Sequence, residues 1–103
     1  MIGHLLTDQQ LEQQLEQSPA PRVTREYIES RINNVDYYFI AQTVTVCSIH
    51  LDNGFSVRGE SACVNEKNFD IDIGKTIAYK NAFDKLWSLF GFLLAEESFK
   101  CTQ

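Results

Sequence analysis

The stretch TVCSIHLDNGFSVRGES, residues 45–61, decides the fold because one turn sets the register of two predicted strands. A three-residue loop from Asp52 to Gly54, with Gly54 in the left-handed conformation, gathers the apolar side chains on one face. A two-residue loop would scatter them over both faces. We therefore predict a β-hairpin in the three-residue register, whose facing pairs on the apolar side are Leu51–Phe55, Ile49–Val57 and Cys47–Gly59.

The opposite face of the hairpin is predicted to be mostly polar. Upstream of the turn, Val44 and Val46 fall on this polar face as well, which predicts either a bulge or burial on both faces. A hairpin alone is not stable in water, so helices must pack against it. The predicted polar side chains are Ser48, His50, Ser56, Arg58 and Glu60.

Residues 1–21 are predicted to form a helical arm and a proline-containing linker. Thr7 and Gln10 have the spacing of a capping box, and the apolar stripe of this helix is thin. The prolines that follow end the helix. We interpret the segment as a flexible arm, with an oligomer contact as the alternative, and residues 22–103 as a single domain.

A second helix is predicted over VTREYIESRINNV, residues 23–35. Thr24 can cap its N terminus, and three apolar residues spaced i, i+4 and i+7 indicate one buried helical face. We predict that the helix ends at Asn33-Asn34. The apolar positions are Ile28, Ile32 and Val35.

A long third helix is predicted from Asp70 to about Phe99. Asp70 is a good N-cap, and Gly91 is expected to kink or split the helix. The fold class is therefore α+β, with short N-terminal helices, an antiparallel β-hairpin or small sheet, and a long C-terminal helix packed on it. A chain of 103 residues buries a limited core, so we expect oligomerisation to complete it.

Composition excludes several kinds of partner. The net charge of −5 disfavours binding to nucleic acid or to anionic membranes, which basic patches drive. No apolar run approaches the length that spans a bilayer, and the first residues lack the pattern of a signal peptide. Three cysteines without CxxC spacing suit a reducing compartment. We expect a soluble cytoplasmic protein.

No catalytic constellation is predicted. A nucleophilic Cys63 would need a nearby base, and the two histidines are His4, in the arm, and His50, beside the hairpin turn. A small buried cysteine is the stronger interpretation. The histidines and cysteines do not have the spacing of metal ligands. We expect no enzyme activity, no cofactor and no metal site.

A polar and aromatic set surrounds the joint between hairpin and third helix. Backbone N–H groups at a helix start attract phosphate, and an aromatic ring there can stack on a nucleobase. The Phe69 ring either lines the rim of such a pocket or fills the hydrophobic core as a plug. Asn81 either contacts a ligand or bonds a backbone group of the hairpin, and the structural role is the commoner one. The set comprises Arg58, Ser61, Asn65, Asn68, Phe69, Lys75, Tyr79 and Asn81.

Residues 23–97 resemble a family of small proteins of tailed phages and prophages. The resemblance rests on the motifs TVC at 45–47, LDNGF at 51–55, GESACV at 59–64, NFD at 68–70, GKTIAYKNA at 74–82, KLW at 85–87 and GFLL at 91–94. The chain departs from the family pattern at Phe90, where an acidic residue is expected.

The family is associated with anti-Thoeris sponges, which bind cyclic ADP-ribose isomers made by bacterial TIR immune enzymes without cleaving them. Some such sponges also hold cyclic oligonucleotides at separate sites. The resemblance implies a dimer or a higher oligomer such as a hexamer, with ligand pockets between subunits. It also implies that the protein acts in the host bacterial cytoplasm. It implies ligand contacts from Phe69, Asn81 and Arg58, and arginines contributed across the interface, for which Arg25 and Arg31 are candidates.

Two other functions compete with sequestration. A host-takeover protein would inhibit a bacterial protein by direct binding, using the arm and the aromatic residues near Phe90. An enzyme that acts on a nucleotide would depend on Cys63 or on a carboxylate. The latter is the weakest hypothesis because no base accompanies the thiol.

Overall fold

The elements follow one another as two short helices, three strands and one long helix. The computed structural model describes residues 5, 7–16, 22–63, 67 and 70–102. They form α1 (Asp8–Glu16), α2 (Arg25–Ser30), β1 (Ile32–Ala41), β2 (Val44–Leu51), β3 (Ser56–Ala62) and α3 (Ile71–Cys101). The strands make one antiparallel sheet in the order β1-β2-β3. The predicted α+β class is confirmed.

The turn between β2 and β3 adopts the predicted three-residue loop. Gly54 has a φ of 90°, a conformation that glycine adopts without strain. The amide of Leu51 donates to the carbonyl of Phe55 at 2.8 Å. In the ladder that follows, the pairs are Ile49–Val57 and Cys47–Gly59, so the predicted register is confirmed.

The bulge predicted near Val44 lies in the neighbouring strand. The β2–β3 pairing runs without a register shift, whereas the β1–β2 pairing is irregular between Phe39 and Ala41. Val44 and Val46 are half-buried, although they belong to the face opposite α3. The central strand is therefore partly covered on both faces.

The predicted second helix is too long, and β1 was not predicted. Helix α2 starts at its Thr24 cap, whose hydroxyl accepts from the amide of Tyr27, but it ends at Ser30. Ile32 already pairs with Leu51, and a second irregularity follows at Asn33. This bulge brings Ile32 and Val35, three residues apart, to the same face of the sheet. The apolar residues of the strand therefore have the spacing that is typical of a helix.

Helix α3 continues through Gly91 and spans 31 residues, a length of about 46 Å. Gly91 therefore does not split the helix, and the predicted kink stays a prediction. The Asp70 side chain accepts the amides of Asp72 and Ile73, as expected of an N-cap. Where α3 crosses the sheet, its inward face supplies much of the core, which comprises Ile28, Cys47, Ile49, Leu51, Val57, Ala78, Ala82, Phe83, Leu86 and Phe90.

Strand β3 and helix α3 touch backbone to backbone at Gly59. A Cβ atom at this position would lie 2.2 Å from the Ala82 nitrogen and 2.7 Å from the Ala78 oxygen. The absence of a side chain at Gly59 thus fixes the distance between helix and sheet. Among the described helices, none is long and apolar enough to cross a membrane.

Candidate functional site

The predicted site residues are divided among several places in the chain. Asn68 and Phe69, like Asn65, lie outside the described residues, so the choice between plug and pocket rim stays a prediction. The others lie at the seam between β3 and α3, on the open face of the sheet, beside the hairpin turn, or on the flank of α3 that faces β1. Within one chain, the described members of the set do not meet in one pocket.

At the seam between β3 and α3, two predicted residues tie the helix to the strand. The Asn81 amide donates to the Glu60 carbonyl at 2.8 Å, and the Ser61 hydroxyl donates to the Gly74 carbonyl at 2.8 Å. The ammonium group of Lys85 donates to the Arg58 carbonyl. The structural alternative for Asn81, a bond to the hairpin backbone, is therefore confirmed, and its contact with a ligand stays a prediction.

The Arg58 side chain lies on the open face of the sheet, away from α3. It is exposed and donates to the Ser56 hydroxyl at 3.0 Å. Ser48 and His50 share this face, as the hairpin register predicts. The open face thus carries one arginine available to solvent.

The same face holds a serine, a histidine and an aspartate in contact. His50 Nε2 lies 3.2 Å from the Ser48 hydroxyl and 3.2 Å from an Asp36 carboxylate oxygen. A serine nucleophile requires the histidine to contact the hydroxyl through one ring nitrogen and the carboxylate through the other. Both contacts here use the same nitrogen, so the group is a polar network rather than a catalytic triad.

Beside the hairpin turn, Arg31 joins α2 to the sheet. Its Nε donates to both carboxylate oxygens of Asp52 at 2.8 and 2.9 Å, and its Nη1 donates to the Tyr27 hydroxyl at 3.0 Å. These hydrogen bonds raise the pKa of Arg31, with that to Asp52 dominant. A cleft of about 310 Å³ opens here, lined by Arg22, Val23, Tyr27, Arg31, Phe90, Leu93, Leu94 and Glu97.

The flank of α3 that faces β1 brings three predicted residues together. The Lys75 ammonium lies 4.8 Å from the centroid of the Tyr37 ring, and the Arg25 guanidinium carbon lies 4.4 Å from that of Phe83. Tyr79 connects the two contacts, because its ring lies 5.8 Å from that of Phe83 and its hydroxyl is influenced by the charges of Glu29 and Arg25 and by Tyr37. We call Arg25, Tyr37, Lys75, Tyr79 and Phe83 the β1-flank cluster.

Burial sets the protonation of the hydroxyl and thiol groups in and beneath this cluster. Desolvation raises the pKa of Tyr37 and of Tyr79 above the ordinary value for tyrosine. It likewise raises the pKa of Cys47, which is fully buried below. At neutral pH the phenols are therefore uncharged donors, and the thiol is not a nucleophile.

The β1-flank cluster can bind an anion that also carries hydrogen-bond acceptors. Two cations rest against aromatic rings, an arrangement that holds them in place without neutralising them. The same cluster contains the hydroxyl of Tyr79, a protonated donor. The sequence predicts Arg25, Lys75 and Tyr79 as site residues. It does not predict Tyr37, because strand β1 was not recognised. The aromatic run of residues 37–39, typical of a strand, was the available signal.

The start of α3 is less suited to an anion than the sequence indicates. The Asp70 carboxylate already accepts the amides of Asp72 and Ile73. Asp72 adds a second negative charge in the first turn. A phosphate at this position would be repelled by both carboxylates, so the expectation of an anion-binding helix start is not supported.

Metal chemistry lacks a ligand set in the part of the chain that is described. No group of three or more histidine, cysteine, aspartate or glutamate side chains is placed there to hold an ion. Cys47, Cys63 and Cys101 form no disulfide bonds, and Cys101 is exposed.

Comparison with known proteins identifies the family. A model of the Phage protein (N4 Gp49/phage Sf6 gene 66) family matches residues 23–98, most of the chain. The chain belongs to this phage protein family. Every predicted site residue, from Arg25 to Asn81, lies within the match, whereas the N-terminal arm, residues 1–21, lies outside it. No curated protein and no solved structure matches the chain.

Proposed function

We propose that this phage protein binds and sequesters a cyclic nucleotide immune signal in the host bacterial cytoplasm without cleaving it. The ligand is a cyclic ADP-ribose isomer, and cyclic oligonucleotides are a second ligand class. The protein acts as an oligomer, a dimer or a larger assembly such as a hexamer, and has no enzyme activity. Two arguments support this, one from the β1-flank cluster and one from the resemblance to anti-Thoeris sponges.

The β1-flank cluster is the observation that carries the proposal. A cyclic dinucleotide-like ligand presents a pyrophosphate, ribose hydroxyls and flat rings. Arg25 and Lys75 supply charge for the pyrophosphate, and Tyr79 supplies a donor for a ribose or phosphate oxygen. The protein groups are half-buried or lie against rings, so their positions are fixed before a ligand arrives.

Sequestration requires tight binding, and we expect a second chain to contribute to it. To deplete a signal, Kd must be about nanomolar, which corresponds to about −12 kcal/mol. Such affinity needs enclosure of most of the ligand surface, whereas the β1-flank cluster lies on the outside of one chain. A second chain would close the site.

The proposal is tested with protein purified from cells that make a TIR-derived signal. Heat denaturation should release an intact cyclic nucleotide, which mass spectrometry identifies. Arg25→Gln combined with Lys75→Gln should remove the released nucleotide. Lys80→Gln, which removes a charge from an exposed position of the same helix, is the matched control and should keep it. Absence of release, together with an unchanged melting temperature when cyclic nucleotides are added, would contradict the proposal.

A second candidate is inhibition of a bacterial protein by direct binding. An apolar groove of about 260 Å³ favours it, lined by Leu51, Asn53, Phe55, Leu89, Phe90, Phe92 and Leu93. Phe90 itself is buried, but Phe55 and Phe92 are 54% and 58% exposed. Exposed apolar surface of this kind marks interaction sites.

The two candidates predict different results for one variant. Phe92→Ser should abolish capture of a bacterial protein if inhibition is the function, and should leave nucleotide release unchanged if sequestration is. Deletion of residues 1–20 should also abolish capture if the arm forms part of the inhibitory surface. Capture that survives both changes would contradict the inhibitor hypothesis.

A further inference from the structure

We propose that the β1 strands of two copies pair edge to edge in antiparallel orientation, joining two three-stranded sheets into one of six strands. The proposal goes beyond nucleotide binding, since it concerns a surface that exists without a ligand. It specifies which edge of the sheet forms the contact between copies.

Strand β1 is an outer strand of unusual length and exposure. It spans ten residues, and only β2 pairs with it among the described strands. Its outer N–H and C=O groups are therefore available to another strand. Three consecutive large apolar residues are also exposed, namely Tyr38 at 52%, Phe39 at 49% and Ile40 at 72%.

The edge of β1 carries few of the features that prevent strand pairing. Ile32–Ala41 contains no lysine and no proline, residues with which natural edge strands avoid pairing. Its single charge is Asp36, whose carboxylate accepts from the Asn34 amide at 3.1 Å and contacts His50. The bulges at the two ends leave Asn34–Phe39 as a regular run, long enough for a short ladder.

Charge favours a second copy of the chain as the occupant of this edge. A chain with a net charge of −5 repels its own copies over most of its surface, whereas β1 presents one carboxylate that is already engaged. Antiparallel pairing centred on Tyr37 or Tyr38 sets Asp36 opposite an uncharged residue and avoids two facing carboxylates. It also places aromatic side chains opposite one another, which stabilises strand pairs.

Pairing through β1 has a consequence for the β1-flank cluster. Tyr37 belongs to β1, and Lys75 lies over its ring. With the two-fold axis perpendicular to the sheet, both α3 helices lie on the same face, and the two clusters meet across the axis. Each cluster would then gain a wall from the partner's β1, the enclosure that a single chain lacks.

The test compares two charge substitutions at equally exposed aromatic residues. Sedimentation equilibrium of the full chain should give a dimer or a multiple of two. Tyr38→Lys places a lysine at the paired edge and should raise the dimer dissociation constant at least about tenfold. Phe55→Lys, at the hairpin tip, should leave the constant unchanged. Circular dichroism and melting temperature verify that both variants are folded.

Hydrogen exchange gives an independent measurement. Amides of residues 34–39 should be protected in the wild-type protein and lose protection in Tyr38→Lys while β2 stays protected. The proposal is overturned if the wild-type protein is monomeric at every concentration, or if Phe55→Lys separates the copies and Tyr38→Lys does not. A monomer that still releases a cyclic nucleotide would refute strand pairing and leave sequestration intact.

Discussion

Gly59 fixes how closely α3 approaches the sheet, so a single methyl group there should have a large effect. Gly59→Ala places a Cβ atom 2.2 Å from the backbone nitrogen of Ala82, which cannot move aside as a side chain could. We expect a loss of about 3 kcal/mol of unfolding free energy, measured by urea denaturation.

Gly91→Ala is the matched control for this prediction. A Cβ atom at Gly91 meets nothing within 4 Å, and alanine favours the helix over glycine. The same denaturation experiment should show stabilisation by about 0.5 to 1 kcal/mol. If Gly59→Ala does not destabilise the protein while Gly91→Ala behaves as expected, the close approach of Gly59 to α3 does not limit the packing of helix on sheet.

The half-buried phenols of Tyr37 and Tyr79 predict a loss of stability at alkaline pH. Because burial raises both pKa values, the unfolded chain releases its phenolic protons first, from about pH 10. The folded state then holds more protons, so the stability present below pH 10 decreases as the pH rises through the folded pKa values. Urea denaturation at about pH 8 and pH 10.5 should show this difference.

The double variant Tyr37→Phe/Tyr79→Phe tests whether these two phenols cause the loss of stability at alkaline pH. It retains Tyr27 and Tyr38, which are exposed, along with every lysine. The alkaline loss of stability should become smaller in this variant. If the loss is unchanged, other groups cause it.

At the scale of elements, the hairpin could be predicted because its turn carries local information. Asn53-Gly54 permits few backbone geometries, and one of them gathers the apolar residues on a single face. Strand β1 could not be predicted in the same way. The bulge at Asn33 gives Ile32 and Val35 a helical spacing, and this bulge is visible only once the strand is paired.

The candidate site was predictable in its residue types more than in its arrangement. Lys75 and Tyr79 were selected from one helix, but their partner Tyr37 comes from the strand that was missed. Asn81 was selected as a polar residue at the border of an apolar stripe. Spacing along a helix does not show which backbone carbonyl such a residue faces, so its bond to Glu60 appears only in the structure.

The bonds from α3 to β3 should contribute measurably to stability. Asn81→Ala removes the donor to the Glu60 carbonyl and should lower the unfolding free energy by about 1 kcal/mol. Lys85→Met removes the donor to the Arg58 carbonyl while keeping an apolar stem, and should have an effect of similar size because Lys85 and Asn81 are both exposed. Unchanged stability in Asn81→Ala would show that its hydrogen bond is replaced by one to water.

For the whole molecule, the structure separates two kinds of surface. The β1 side of the molecule carries cations, phenols and an unpaired strand edge, whereas the end beside the hairpin turn carries an apolar groove with exposed phenylalanines. The first suits a charged ligand enclosed by two copies, and the second suits a protein partner. The phage family to which the chain belongs is compatible with either function.

Calorimetric titration of the purified chain with a cyclic ADP-ribose isomer tests the central claim most directly. We predict nanomolar binding, recovery of the ligand intact, and an affinity at least about tenfold weaker in Arg25→Gln/Lys75→Gln, with Lys80→Gln unchanged. Binding that is equally tight in the double variant would show that the β1-flank cluster does not bind the ligand. Absence of any binding heat, with the protein folded, would contradict sequestration itself.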